Sequence, residues 1–187
     1  MNTTESLKTQ WDALKQEQPH LRIRNAAQKL GVSEMELLAT NIGSNVTRLR
    51  PEFKEMLAEI ESLGKVMALT RNEECVHERK GIYANADFSN PHAGLFVNED
   101  IDLRIFLSHW KKVFYVIEEN ARGTSRSIQF FGKDGEAIHK IFLTPDSNVE
   151  AFEALVEKYK SEDQQPFETS EAYELNLDEK PDNEIDV

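Results

Sequence analysis

The sequence predicts an α+β fold with N-terminal helices, a large antiparallel β-sheet and a C-terminal helix that packs on the sheet. Before Gly64, apolar residues recur every three or four positions, which is the period of amphipathic helices. After Gly64, short runs rich in valine, isoleucine, phenylalanine and tyrosine are separated by asparagine, glycine, proline and serine, a pattern typical of strands. The helical period returns after Pro145.

Four helices are expected before Gly64. The first covers residues 5–17 and ends before Pro19, and the fourth begins after Pro51, a residue that the first turn of a helix tolerates. Their apolar faces comprise Leu7, Trp11 and Leu14 in the first helix and Phe53, Leu57 and Ile60 in the fourth.

Residues 21–30 and 33–40 predict two further short helices joined by a tight corner. Gly31 is the expected C-cap of the first, and Ser33 is the expected N-cap of the second, in a capping box with Glu36. The same pattern is typical of a helix-turn-helix, but a helix that reads DNA needs basic residues for the phosphates, and the second helix carries two glutamates and no base. We therefore favour a packed helical corner and no nucleic acid, with DNA binding as the weaker alternative.

Seven runs predict the strands. They are residues 65–70, 74–83, 93–97, 102–107, 113–119, 127–132 and 136–143. Asp134-Gly135 supplies the left-handed backbone of a tight hairpin, so the last two strands should be antiparallel neighbours. The final helix is expected to begin at a cap on Asp146 or Ser147. Its expected apolar face comprises Val149, Phe152, Leu155, Val156 and Tyr159.

Negative charge is concentrated near the end of the chain. The 187 residues carry a net charge of -12, and residues 161–187 hold ten acidic side chains against Lys180, a net charge of -9, which leaves -3 for residues 1–160. So polar a segment buries too little apolar surface to offset the entropy lost on ordering. The sequence therefore predicts one domain over residues 1–160 and an acidic linker or disordered tail over residues 161–187.

Composition excludes several classes of protein. No run approaches the roughly 18 apolar residues of a membrane span, and the first residues lack the pattern of a secretory signal, so no membrane insertion and a cytoplasmic location are expected. Cys75 is the single cysteine, which excludes an intrachain disulfide and a multi-cysteine metal site, and we expect it to be a small buried side chain. The sequence contains no hydrolase triad pattern and no glycine-rich phosphate loop.

His77 is the favoured candidate for a binding residue. It lies in an alternating segment beside basic residues, and a neutral imidazole is a common axial ligand of haem iron. Arg104, inside an otherwise apolar run, is suited to pair with a ligand carboxylate such as a haem propionate. The alternatives are a structural histidine and a strand-surface ion pair between Arg104 and Asp102. The remaining histidines are His20, together with His92, His109 and His139, which rank below His77.

Four blocks resemble the N-terminal half of the HemS/ChuS/HmuS family, bacterial cytoplasmic haem-binding proteins also called hemin-degrading factors. They are AAQKLGVSEMELL, TRNEECVHERKGIY, HAGLFVNEDIDLRIFLSHW and SIQFFGKDGEAIHKIFLT, in the family's order within residues 11–159. The resemblance implies a haem pocket between the sheet and packed helices, for haem transport or breakdown. It also implies that His77 of the VHE motif is a tentative ligand of the haem iron and that Arg104 of the DLR motif faces haem.

The resemblance also implies a protein partner. Family members consist of two similar halves, and the terminal KPDNEIDV resembles the linker between them. We therefore expect either a missing C-terminal half or a second copy of this chain as partner, together with haem donor or acceptor proteins. Haem transport and haem degradation both remain open, and a non-catalytic interaction or dimerisation module is the alternative function.

Overall fold

The computed structural model describes residues 3–90, 93–120 and 123–174. The α-helices are α1 (Thr3–Glu17), α2 (Ile23–Leu30), α3 (Glu34–Ala39), α4 (Phe53–Glu59) and α5 (Val149–Tyr159). The strands are β1 (Val46–Arg48), β2 (Gly64–Arg71), β3 (Val76–Gly81), β4 (Gly94–Val97), β5 (Asp102–Ile105), β6 (Trp110–Asn120), β7 (Gly123–Gly132) and β8 (Ala137–Ser147). Two 3-10 helices, Ile60–Leu63 and Leu107–His109, lead into β2 and β6. Over the described ranges, no helix combines the length and the apolar character that a membrane crossing requires.

Six strands form one antiparallel sheet in the order β1-β6-β7-β8-β2-β3, and β4 and β5 form a separate antiparallel pair. The predicted α+β fold with a large antiparallel sheet is therefore confirmed. The turn between β7 and β8 contains Gly135 at φ 78°, which confirms the predicted hairpin. Strand β1 is an addition that the sequence pattern did not predict, because three residues are too short to show an alternating period.

Each face of the six-stranded sheet is covered by helices. On one face, which we call the α5 face, Tyr115, Ile128 and Ile141 pair across β6, β7 and β8 and are buried. The ring of Phe152 in α5 meets Tyr115 edge to face, with ring centroids 5.4 Å apart. This contact confirms that the C-terminal helix packs on the sheet. On the opposite face, which we call the α3 face, Met35 and Leu38 of α3 belong to one buried apolar cluster with Phe114 and Val116 of β6.

The predicted helical corner is present, and its second helix is buried. Gly31 ends α2 at φ 69°, and Ser33 and Glu36 form the capping box at the start of α3. Five of the six residues of α3 are buried, and the carboxylate of Glu34 forms an ion pair with Lys140 of β8. A helix packed in this way against a sheet cannot enter a DNA groove, so the corner is an element of the core.

Three local expectations were wrong. Cys75 is exposed because it lies in the connection between β2 and β3, at the edge of the sheet. The N-cap of α5 is Asn148, whose side chain accepts from the backbone N–H of Ala151, because β8 continues as far as Ser147. Val149 follows that cap at the first position of the helix and is 44% exposed, whereas the other four residues of the predicted apolar face are buried.

Residues 161–174 lie against the domain. The guanidinium of Arg48 in β1 donates to the backbone carbonyls of Asp163, Gln165 and Phe167 and pairs with Glu168. These contacts are polar, so hydrogen bonds and charge hold the segment beside β1. Residues 175–187 of the predicted acidic tail lie outside the described part of the chain.

Candidate functional site

A row of side chains crosses the α5 face and leads from the core to the edge strand. Phe130 of β7 pairs with His139 of β8, the hydroxyl of Thr70 in β2 bonds the ring of His139, and Thr70 pairs with His77 of β3. Phe130 and His139 are buried, whereas Thr70 and His77 are exposed. The predicted ligand His77 therefore occupies the exposed end of a row whose inner end is fixed by packing.

Both ring nitrogens of His139 are hydrogen-bonded. Its Nδ1 lies 2.9 Å from the hydroxyl of Thr70, and its Nε2 lies 2.7 Å from the hydroxyl of Tyr83. Since Tyr83 is fully buried, its O–H must donate to Nε2, which leaves the Nδ1–H to donate to Thr70. Burial lowers the pKa of His139 to about 4 and raises the pKa of Tyr83, so both groups are neutral near pH 7. His139 is thus a structural residue and not a free ligand.

His77 has a different environment. It lies in the edge strand β3, it is exposed, and within the described part of the chain no hydrogen bond or ion pair engages its ring. A histidine can coordinate a metal only through a ring nitrogen that no other group occupies. Both ring nitrogens of His77 are unoccupied in the described structure, whereas both ring nitrogens of His139 are hydrogen-bonded.

The β4–β5 hairpin lies over the α5 face next to His77. Arg79, two residues along β3 from His77, donates to the backbone carbonyl and the carboxylate of Asp100 in the hairpin turn, over 2.9 and 2.6 Å. Gly81 permits this approach, since a Cβ there would lie 2.6 Å from the Cβ of Asp100. Phe96 of β4 meets the ring of Tyr83 edge to face, with ring centroids 5.0 Å apart. The hairpin is thus held at two points of the face that carries His77.

Arg104 lies on β5 of this hairpin, and its side chain is on the outer, exposed face together with Asp102, whereas Leu103 and Ile105 face the core. Its side chain is 68% exposed, and its only ion pair among the described residues is a long one, 3.9 Å, to Asp102. This pair is the strand-surface contact that the alternation of β5 predicts. No hydrogen bond or ion pair joins Arg104 to His77 in the described structure, and the two residues belong to different sheets. Both side chains are free to meet a ligand.

The other histidines offer no comparable site. His20 is exposed in the turn after α1, His109 contacts the ring of Tyr173, and His92 lies outside the described residues. Within the described ranges, no group of three or more histidine, cysteine, aspartate or glutamate side chains is placed to hold a metal ion. An iron bound by His77 would therefore have to bring its other ligands, as the iron of a porphyrin does.

The α3 face holds a cavity of about 410 Å³ that no sequence pattern indicates. It lies between the N-terminal helices and the sheet, with Trp11 of α1 and Leu38 of α3 on one side and Leu69 and Phe142 on the other. The side chains that line it are far apart along the chain and share no sequence pattern. Only the packing of α1 to α3 on the sheet brings them together.

Residues 31–159 match the family described as the haemin-degrading HemS.ChuX domain. The chain belongs to this family. The match covers the second half of the helical corner, all strands and α5, and thus all the elements that carry the His77 row and the β4–β5 hairpin. The resemblance to the HemS/ChuS/HmuS family that the four sequence blocks indicate is therefore confirmed.

Three relatives show how far the similarity extends. The hemin transport protein HmuS of Yersinia pestis is 38% identical over 180 residues, which are 93% of this chain and 52% of HmuS. The crystal structure of holo-PhuS, a heme-binding protein from Pseudomonas aeruginosa, has a TM-score of 0.86 at 46% identity and covers 91% of this chain and 50% of PhuS. ChuS, a heme degrading enzyme of Escherichia coli O157:H7, has a TM-score of 0.84 at 32% identity, covering 91% of this chain and 51% of ChuS. This chain therefore spans about half the length of these family members.

Proposed function

We propose that this chain binds haem on the α5 face beside strand β3, with the imidazole of His77 as the ligand of the iron and the guanidinium of Arg104 paired with a propionate. Membership of the HemS/ChuX family and the similarity to HmuS, PhuS and ChuS support haem as the ligand. The observation that carries the choice of residue is the unoccupied ring of His77 at the exposed end of a row fixed by His139.

The residues present fit the group. A neutral imidazole is a common proximal ligand, and a planar guanidinium pairs with a carboxylate through two parallel hydrogen bonds. His139 supports this role indirectly. Its hydrogen bonds hold the side chains of Thr70 and Tyr83, the inner neighbours of the site, in one arrangement. When bound, the haem would supply the iron chemistry, and the protein would supply orientation and charge.

A second body is needed to cover the ligand. His77 and Arg104 are exposed. The exposed side chains of Ile82 beside β3, Val97 in β4 and Phe106 directly after β5 add apolar surface. A porphyrin left on such an open surface would keep one face in water, whereas binding sites bury most of their ligand. We propose that the cover is a C-terminal half or a second copy of this chain, and that the assembly carries haem in the cytoplasm between donor and acceptor proteins.

A titration of the full chain with hemin, followed by absorbance, tests this proposal. We expect His77→Ala to lose the shift of the Soret band and to bind hemin at least about tenfold more weakly, because the iron loses its protein ligand. Arg104→Ala should keep the band position and bind about fivefold more weakly, the effect of one charge-assisted hydrogen bond at an exposed site. His20→Ala is the matched control, since it removes an exposed imidazole elsewhere.

The same titration can overturn the proposal. Identical spectra and affinities for the wild type, His77→Ala and His20→Ala would remove His77 from the site. Size-exclusion chromatography with and without hemin then tests the cover. A shift from monomer to dimer on adding hemin supports a second copy as the cover. A monomer that binds hemin as tightly in His77→Ala as in His20→Ala indicates a site elsewhere on the chain.

A further inference from the structure

The hydroxyl of Thr70 lies directly across the strands from His77, the residue proposed to bind the haem iron. Thr70 of β2 and His77 of β3 are register partners, so their side chains project from the same face of the sheet. The Cβ atoms of such a pair are about 4.5 to 5.5 Å apart, a separation that an imidazole and a hydroxyl can close by side-chain rotation. Thr70 is exposed, whereas the ring of His139 beside it is buried. Thr70 therefore lies between the core and His77.

The hydrogen bond between Thr70 and His139 has one direction. The buried O–H of Tyr83 donates to Nε2 of His139 over 2.7 Å, so His139 carries its proton on Nδ1 and donates it to Thr70 over 2.9 Å. A threonine hydroxyl can accept two hydrogen bonds and donate one. His139 uses one acceptor position, and no other described side chain uses the second. Thr70 thus offers a free acceptor whose position is fixed from the core side.

A histidine that binds iron needs an acceptor of this kind. One ring nitrogen coordinates the metal, and in the neutral ring the other nitrogen carries a proton. In metal sites this N–H almost always donates to an oxygen, which fixes the orientation of the ring and makes the histidine a stronger ligand. Within the described part of the chain, no acceptor engages either nitrogen of His77.

The other polar side chains near His77 are less suited to this task. Arg79, on the same face of β3, is a donor and is already bound to the β4–β5 hairpin. The side-chain oxygen of Asn72 accepts from two backbone N–H groups of the turn between β2 and β3. Glu74 in the same turn has an exposed carboxylate, but it is not opposite His77 in the register. Thr70 alone among these residues combines a free acceptor with a place directly opposite His77.

We propose that Thr70 is the positioning residue of the haem ligand. The ring nitrogen of His77 that does not bind iron donates its proton to the hydroxyl of Thr70. Tyr83, His139, Thr70 and His77 then form one chain of hydrogen bonds from the core to the ligand, in which each imidazole has a single tautomer. This inference rests on the proposed function, because it assigns a role to Thr70 only if His77 binds the iron.

Two substitutions at Thr70 test the proposal on the full chain. Thr70→Val removes the hydroxyl and keeps the branched shape, and Thr70→Ser keeps the hydroxyl. In a hemin titration followed by absorbance, we expect Thr70→Val to bind about tenfold more weakly and Thr70→Ser to bind like the wild type. In the reduced haem complex, the iron–histidine stretching frequency measured by resonance Raman should fall in Thr70→Val and return to the wild-type value in Thr70→Ser. The frequency falls because an imidazole without an acceptor is a weaker ligand.

Controls separate the positioning role from an effect on folding. Thr70→Val also removes the acceptor of the buried Nδ1–H of His139, so its urea midpoint should be lower than that of the wild type. Lower stability alone would weaken hemin binding but would leave the iron–histidine frequency unchanged. Glu74→Gln is the control for the neighbouring carboxylate and should change neither the affinity nor the frequency. In a His77→Ala background, Thr70→Val should cause no further loss of affinity, because the two residues act through the same imidazole.

The outcomes distinguish this inference from the proposed function. Hemin binding by His77→Ala that equals the wild type removes His77 from the site, and the role of Thr70 fails with it. If His77→Ala loses hemin but Thr70→Val keeps the wild-type affinity and frequency, His77 remains the ligand and only the role of Thr70 is overturned. A lowered frequency in Glu74→Gln with an unchanged frequency in Thr70→Val would assign the acceptor to Glu74 and would also overturn the inference.

Discussion

The guanidinium of Arg48 and the carboxylate of Glu168 form an ion pair of 2.9 Å between Nε and Oε1, in which the two side chains are 9% and 7% exposed. The pair joins β1, the first strand of the sheet, to the segment that follows α5. Lys112 of β6 binds the second carboxylate oxygen over 2.9 Å. The negative charge of Glu168 therefore balances the positive charges of Arg48, which is buried, and of Lys112 at the β1 edge of the sheet.

Replacing Glu168 should reveal how much this segment contributes to stability. In Glu168→Gln, Arg48 keeps its three backbone carbonyls and the exposed carboxylate of Asp163 but loses its buried counter-ion, so we expect a loss of about 2 to 4 kcal/mol in the free energy of unfolding. Urea denaturation measures this loss in the free energy of unfolding. Asp163→Asn is the control, since its exposed carboxylate also pairs with Arg48 and should cost less than about 1 kcal/mol. Equal losses in both variants would contradict this interpretation.

The buried imidazole of His139 should make stability depend on pH. Its pKa is about 4 in the folded protein and about 6.5 in the unfolded chain, so the unfolded chain alone takes up a proton between these values. The resulting stability is fully present above pH 6.5 and is lost as the pH falls, by about 2 kcal/mol at pH 5. Urea midpoints at pH 7.5 and 5 should differ less in His139→Gln than in the wild type. His20→Gln, which changes an exposed histidine, should retain the wild-type difference.

Gly81 should tolerate no side chain. A Cβ at this position would lie 2.6 Å from the Cβ of Asp100 and 2.9 Å from Cγ1 of Ile101, so Gly81→Ala must push the β4–β5 hairpin away from β3. We expect a loss of about 1 to 3 kcal/mol in thermal or urea unfolding, as for other overpacked sites. Lys80→Ala, at the exposed neighbouring position, should change stability by less than about 0.5 kcal/mol. A fully stable Gly81→Ala protein would show that the hairpin is not held tightly at this point.

Ser33 should stabilise the helical corner through its hydroxyl. The hydroxyl accepts from the backbone N–H of Glu36 over 3.2 Å and donates to the carboxylate of Glu36 over 2.8 Å. Ser33→Ala should therefore lower the free energy of unfolding by about 1 kcal/mol, the usual contribution of an N-cap. Ser44→Ala, in an exposed turn, is the control and should have almost no effect. The two urea midpoints would coincide if the capping box contributed nothing.

Local patterns were sufficient to predict most of the elements. The helix corner at Gly31 and Ser33 and the hairpin at Gly135 depend on backbone conformations that only a few residue types favour, so neighbouring residues identify them. The wrong predictions arose where the position of a residue in the tertiary structure decides whether its side chain is buried. Cys75 is apolar enough to be buried, but the connection between β2 and β3 places it at a sheet edge.

The residues of the candidate site also fall into those that the sequence indicated and those that it did not. His77 and Arg104 were recognisable as candidates because each lies in a strand-like run together with motifs of a known family, and their roles stay predictions. The role of His139 was not recognisable, since its partners Thr70 and Tyr83 lie 69 and 56 residues away along the chain.

The sequence by itself determined the α+β class, the caps, the tight turns and membership of the family, because these depend on residue type, period and order along the chain. Only the tertiary structure decided which histidine is buried and bonded, that the β4–β5 hairpin lies over the row of His77, and that a cavity remains between the N-terminal helices and the sheet. These features depend on contacts between distant segments, and such contacts form only when the sheet and the helices pack together.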